Sequence, residues 1–252
     1  VIMTKSEFTL NRVLFSTDAE VNKTDGGAIF VTGNYVNITD STFNENNAAN
    51  LGGSVYIIGN NTLIDNCNFE KSEAVYGSVI YVEGDNATVD KSNFTNNYAL
   101  EDGGAVFVEG EDCKILNSKF NENTAGDDGG AIMWKGDGGS IENIVCENNQ
   151  GLSQNKSSSR GGAICLTGSN VAVSKSKFKH NAVIYNDGAD ENKIDGGALF
   201  ITGNHVNITD SEFDNNNAFH YGGTIYLLGN DSDVLNCKIE NSKAQNGGGV
   251  LS

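Results

Sequence analysis

Two glutamates, Glu83 and Glu109, stand 26 residues apart, and Lys135 follows after a further 26. Two carboxylates brought face to face raise each other's pKa, and a nearby lysine tunes them. That is the acid and base pair that cleaves a glycosidic bond in a hydrolase or lyase. The same spacing also describes a solvated charge ladder on a repetitive surface, and this is the reading adopted: no catalytic residue is assigned. Acidic residues before glycine (Asp25, Asp102, Asp127, Asp128 and Asp195) offer oxygen ligands to calcium. Their spacing is that of neither an EF-hand nor a calcium-binding nonapeptide, and aspartate before glycine is an ordinary turn residue. No cofactor is expected, with calcium at these corners the one candidate. The five cysteines (67, 113, 146, 165 and 237) form no Cys-x-x-Cys or Cys/His metal spacing and read as small buried thiols.

These residues sit in a chain of 252 residues with a formal net charge of −17. Such a surface repels phosphate backbones, which excludes nucleic acid as a partner. Gly is abundant at 31, Asn reaches 36, and Pro is absent. No apolar run approaches the roughly 20 residues of a membrane helix.

A Gly-Gly-small-aliphatic step positions everything else. It recurs at Gly26, Gly52, Gly77, Gly103, Gly129, Gly161, Gly196, Gly222 and Gly247, at intervals of 26, 25, 26, 26, 32, 35, 26 and 25 residues. With each of these glycines as step 0, step 7 is Gly in all eight complete units, from Gly33 to Gly229. Step 17 is Phe43, Phe69, Phe94, Phe120, Cys146, Phe178, Phe213 and Ile239; step 20 is Asn46, Ser72, Asn97, Asn123, Asn149, Asn181, Asn216 and Ser242. A longer period overlies this one. Residues 1–82 align without gaps on 171–252 with 38 identities, an offset of 170 residues that reads as duplication of a block of six units.

A period of 25–26 residues with three short alternating runs per unit, and no helical spacing, predicts an all-β, right-handed, single-stranded parallel β-helix spanning 1–252 as one domain. Coils would stack at about 4.8 Å, the ladder spacing. Absent proline fits, because a ladder needs nearly every backbone N–H. Steps 3, 5 and 12, the Phe column and a small step-15 column (mostly Ser, with Cys67, Ile144 and Cys237) are placed inside. Step 20 is expected to form an amide ladder. Step 4 (Phe30, Tyr56, Tyr81, Phe107, Met133, Cys165, Phe200, Tyr226) then faces outward. The reversed strand, with these aromatics inside, is the alternative.

The pairing of Gly-Gly-Ala-Ile with Phe-x-x-Asn, as in Gly26-Gly27-Ala28-Ile29 with Phe43-Asn44-Glu45-Asn46 and Gly103-Gly104-Ala105-Val106 with Phe120-Asn121-Glu122-Asn123, resembles two groups of repeats. One is that of chlamydial polymorphic membrane proteins; the other is that of adhesin-like surface proteins of methanogenic archaea. The resemblance implies a pectin-lyase-like solenoid serving as the passenger or stalk of an extracellular, cell-surface adhesin. Its partners would be a host or neighbouring cell, glycans or surface proteins. It brings no catalytic residues, because its motif is structural.

Two surfaces are expected to make contacts. The first is the step-4 column, through Phe30, Tyr56, Tyr81, Phe107, Phe200 and Tyr226. The second is the edge where insertions 12–25, 147–160 and 179–195 leave the rod, with apolar tips Val13-Leu14-Phe15 and Val183-Ile184-Tyr185. Folding back of those tips over the coil wall is the alternative. Glycosylation sequons lie at Asn22, Asn37, Asn60, Asn86, Asn93, Asn155, Asn207 and Asn230. Two rival functions stay open: head-to-tail self-association into a filament or sheath through uncapped ends, and polysaccharide cleavage at Glu83 and Glu109.

Overall fold

The computed structural model describes residues 1–14, 24–154, 158–186, 190 and 193–249. A typical coil runs through strands Val106–Val108, Lys114–Leu116, Lys119–Asn121 and Thr124–Ala125. Stacked coils make four parallel sheets of eight, nine, nine and seven strands in that order of steps. Every ladder joins residues of equal step: Val106 to Ile132, Val89 to Ile115, Phe94 to Phe120, Ala99 to Ala125. The step count read from glycine spacing is therefore the physical register of a parallel β-helix. Four strands form per coil where three were expected. The fourth, at steps 21 and 22, is two residues long and too short to show alternation.

Corners account for the asparagine. Twenty-five non-glycine residues have φ between 46° and 59°, and eleven of them are Asn. All lie at steps 9, 14 and 19, as Asp112, Asn117 and Glu122 do in the coil beginning at Gly103. Left-handed backbone costs an L-residue about 1–2 kcal/mol, less for Asn, whose short side chain bonds locally. Gly103 itself, at φ 68°, takes the fourth bend. The bent residues stay in the ladder: the Lys91 N–H donates to the Leu116 carbonyl at 3.2 Å, and Asn117 N–H to Glu142 at 3.0 Å. Step 7 is glycine for another reason. A Cβ on Gly110 would overlap the Gly84 carbonyl, and the contact recurs coil after coil, whereas Gly33 on the first coil has open space.

Inside, the Phe column stacks face to face, with centroids 4.7 Å apart for Phe43 and Phe69 and 4.6 Å for Phe94 and Phe120. Each buried Phe stabilises the fold by about 1.5–3 kcal/mol. Beside it runs the expected amide ladder. Asn123 Nδ2 donates to Asn149 Oδ1 at 3.0 Å and to the Phe94 carbonyl at 3.0 Å. Its Oδ1 accepts from the Asn97 backbone and Nδ2 at 3.2 and 2.8 Å. All hydrogen-bonding positions of these buried amides are thus used. Where step 20 is Ser, step 2 changes with it. The Ser72 hydroxyl bonds Ser54 at 2.8 Å, and Ser242 bonds Thr224, in place of the Asn and Ala of the coil at Gly103.

Candidate contact surfaces

The first strand has steps 3 and 5 in the main core and step 4 on its outer side, as the alternation predicts. The step-4 column is nevertheless not an open surface. Tyr56 and Tyr81 are 7 % exposed, Phe107 and Phe200 less, and these pack with Met133 and Cys165 as a second apolar layer. Only Phe30, at 55 %, is widely open, and Tyr226 at the other end is half-buried. The roof comes from the neighbouring coil and the corner. Leu51 and Tyr76 pack over the layer. Tyr56 donates its hydroxyl to Glu83 at 2.5 Å, and the Glu109 carboxylate stands beside Tyr81. Lys135 Nζ stands 4.6 Å from the Phe107 ring centre, and the Arg160 guanidinium lies 5.0 Å from that of Phe200.

Glu83, Glu109 and Lys135 each stand by a ring one coil back, and Glu83 serves as the acceptor for a tyrosyl hydroxyl. Burial, then the bond to Glu83, pushes the Tyr56 hydroxyl above its usual range; burial and Glu109 do the same to Tyr81. Both protons stay on the phenols at neutral pH.

The acidic corners hold backbone. Asp25 Oδ1 accepts the Leu51 N–H at 3.1 Å, Asp102 Oδ1 that of Asp128 at 3.1 Å, and Asp195 Oδ1 that of Tyr221 at 3.0 Å. Asp195 also bonds the buried His220 Nδ1 at 2.9 Å. Among the described residues, no three His, Cys, Asp or Glu side chains converge on a metal-sized site. The acidic corners therefore work as cross-coil acceptors.

Asp128 differs from the other three. Its Oδ1 is enclosed without a hydrogen-bond partner. Burial, reinforced by the charges of Asp127 and Asp102, pushes its carboxyl well above the ordinary value of 3.8 against the pull of Arg160. A raised acid holds in the folded state a proton that the unfolded chain releases. Stability is therefore fullest below about pH 4 and falls as pH rises towards the ionisation of Asp128 in the fold. Asp128→Asn is expected to remove most of that slope and, by taking away the charge that burial opposes, to raise stability at pH 7. Urea denaturation of both proteins across pH 4–8 checks it.

On the insertion edge, Val13 ends a fourth-sheet strand, Arg12–Val13, and is half-buried, while Leu14 is 73 % exposed. Val183 is not a tip: it pairs with Gly151 inside the fourth sheet and is buried. Beyond it Ile184 is exposed and Tyr185 stacks on Phe219 at 4.6 Å. The last two insertions brace each other. Ser153 Oγ donates to the Ile184 carbonyl at 2.9 Å and accepts the Asn186 N–H at 3.0 Å, and Ser159–Arg160 pairs with Ile194–Asp195 where they re-enter. Phe15, Asn22 and Asn155 lie outside the described residues. Among the other sequons, Asn86, Asn93, Asn207 and Asn230 are exposed and Asn37 and Asn60 half-buried. Asn93 already donates to Asn68 Oδ1 at 2.8 Å. Cys67, Cys113, Cys146 and Cys165 are buried free thiols, and Cys237 is a half-buried one.

One surface escaped the sequence reading. The outer side of the third sheet, steps 16 and 18, carries a groove of about 600 Å³ between Glu7 and Thr95, its base the strand backbone at the inward-facing Phe43 and Phe69. Past the step-19 corner it meets a depression of about 360 Å³ that reaches Tyr98, with Lys71 lining both. The Tyr98 hydroxyl donates to Gln154 Oε1 at 3.1 Å. A sequence signal existed in the Asn and Thr residues of these two columns, but only with the register known do they form a single patch.

No curated protein and no solved structure gives a significant match to the chain. A family model does match inside the array, over two stretches that each hold one Phe-x-x-Asn with the Gly-Gly-Ala step after it. Those motif positions are the stacked Phe, the amide ladder and the tight corner described above. Repeats of that family are typical of membrane and surface proteins. Residues 91–109 and 117–133 of this β-helix match the model of the Chlamydia polymorphic membrane protein repeat.

Proposed function

We propose that this chain is an extracellular contact rod, the adhesive or architectural part of a cell-surface protein, and that it works without catalytic turnover. One observation carries the reading: a surface-protein repeat occurs here with its motif residues wholly committed to holding coil on coil. The motif builds stiffness and reach, and recognition is left to the outward steps and insertions. Commitment of Glu83 to the Tyr56 hydroxyl favours this over glycosidic cleavage by a Glu83 and Glu109 pair. The test immobilises the folded chain and measures retention of whole cells, arrayed glycans and surface proteins. Saturable retention that is lost on denaturing the rod is expected. A folded rod that retains none of them would sink the proposal.

A further inference from the structure

The duplication inside the chain supplies its own comparison. At steps 16 and 18 the later copy carries Lys177, Lys179, Glu212, Asp214, Lys238 and Glu240. All are charged, and they are cross-linked by ion pairs such as Lys177–Glu212 at 3.1 Å and Lys238–Glu240 at 2.8 Å. The same positions of the earlier copy read Glu7, Thr9, Thr42, Asn44, Asn68 and Glu70, and the next coil adds Asn93 and Thr95. Beneath, Phe8, Phe43, Asn11 and Asn46 are matched by Phe178, Phe213, Asn181 and Asn216, and Phe69 by another apolar residue, Ile239. One scaffold therefore presents a self-neutralised charge ladder at one end and an amide and hydroxyl face at the other. The groove of about 600 Å³ lies on the second of these.

We infer that this face, centred on Thr42, Asn44, Asn68 and Asn93, binds a neutral glycan chain lying along the rod. Amides and hydroxyls both donate and accept, which suits a polyhydroxylated ligand. Their repeat of about 4.8 Å per coil offers a fresh set of partners to each successive sugar. The Asn93–Asn68 bond orients both amides and leaves Asn68 Nδ2 and Asn93 Oδ1 for a ligand. Asn44 and Asn47, either side of the corner, each keep an enclosed amide oxygen with no hydrogen-bond partner. A sugar hydroxyl satisfies such an oxygen once the amide turns outward. Tyr98, held by Gln154, supplies a ring at the end of the depression for stacking on a sugar face. Of the flanking charges, Lys71 pairs with Glu70 at 2.9 Å, and the remaining Glu7, Glu45 and Glu73 outnumber Arg12, so the lining attracts no anion. A net charge of −17 disfavours acidic polymers.

The inference deepens the contact-rod reading and rests on it. The test titrates the whole chain with neutral mannan, glucan and galactan hexasaccharides, and with oligogalacturonate as the acidic comparator, by calorimetry. The variant is Thr42→Glu/Asn44→Asp/Asn68→Lys, which copies residues the later half already carries at equivalent steps, so the fold tolerates them. At least one neutral series is expected to bind, with affinity falling roughly tenfold or more in the variant at unchanged Tm, and oligogalacturonate is expected not to bind. Equal affinity of wild type and variant would overturn the assignment, as would failure of every neutral series to bind. If neutral sugars fail but whole cells are retained, the glycan face is wrong and the contact rod survives. If both fail, both readings fall.

Discussion

Asn123→Ala is expected to destabilise the rod by about 4 kcal/mol, because it orphans several buried groups at about 1–3 kcal/mol each. The Asn97 N–H and Nδ2 lose their acceptor, and the Phe94 carbonyl and Asn149 Oδ1 lose a donor. All sit where water does not reach. A solenoid is held only by nearest-neighbour interfaces, so the break should also split unfolding into two transitions at the coil beginning at Gly103. The chain contains its own rescue. Ser72 is tolerated at step 20 because Ser54 bonds it from step 2 of the same coil. Ala105→Ser added to Asn123→Ser should therefore be more stable than Asn123→Ser alone, by about 0.5–1.5 kcal/mol for one hydrogen bond. Urea denaturation of the wild type, these three variants and Ala105→Ser alone reads both effects, and simple additivity would contradict the pairing.

Gly110→Ala should cost about 3 kcal/mol or more, at the upper end of overpacking effects, while Gly33→Ala should be close to neutral. Both residues occupy step 7. At Gly110 the added carbon overlaps the Gly84 carbonyl, a backbone group fixed within its own coil. At Gly33 it meets nothing within 4 Å. Propensity alone treats the two alike, so the contrast isolates close coil approach as the reason for glycine there. Thermal melts of the two variants suffice, and equal losses would show that conformational freedom governs the column.

The columns were legible because each repeats one dominant residue type at one offset: Phe at step 17, Asn at step 20, Gly at step 7. The left-handed corners were not, since steps 9, 14 and 19 mix Asn with Asp, Lys, Glu and even Leu10. Many side chains accept one such bend when the ladder on both sides repays it. Outside the step-20 column, high Asn content was visible only as composition. The roof over Tyr56 and Tyr81 was hidden because it joins step 4 of one coil to step 6 of the next, and its other parts, Leu51 and Tyr76, share no type. Val183 was misplaced as a tip because a two-residue strand shows no alternation. The amide groove needed the register before residues 25 or 26 apart could be seen side by side.

All of this depends on each coil being bonded to both neighbours through the same buried columns. Residue-resolved hydrogen exchange of the Asn97, Asn123 and Asn149 backbone amides, each donating to the Oδ1 of the next coil, tests that most directly. The account predicts that all three exchange only through global unfolding, as slowly as the central strand amides beside them. Exchange of any of the three at the rate of an exposed amide, with the sheets still protected, would contradict it.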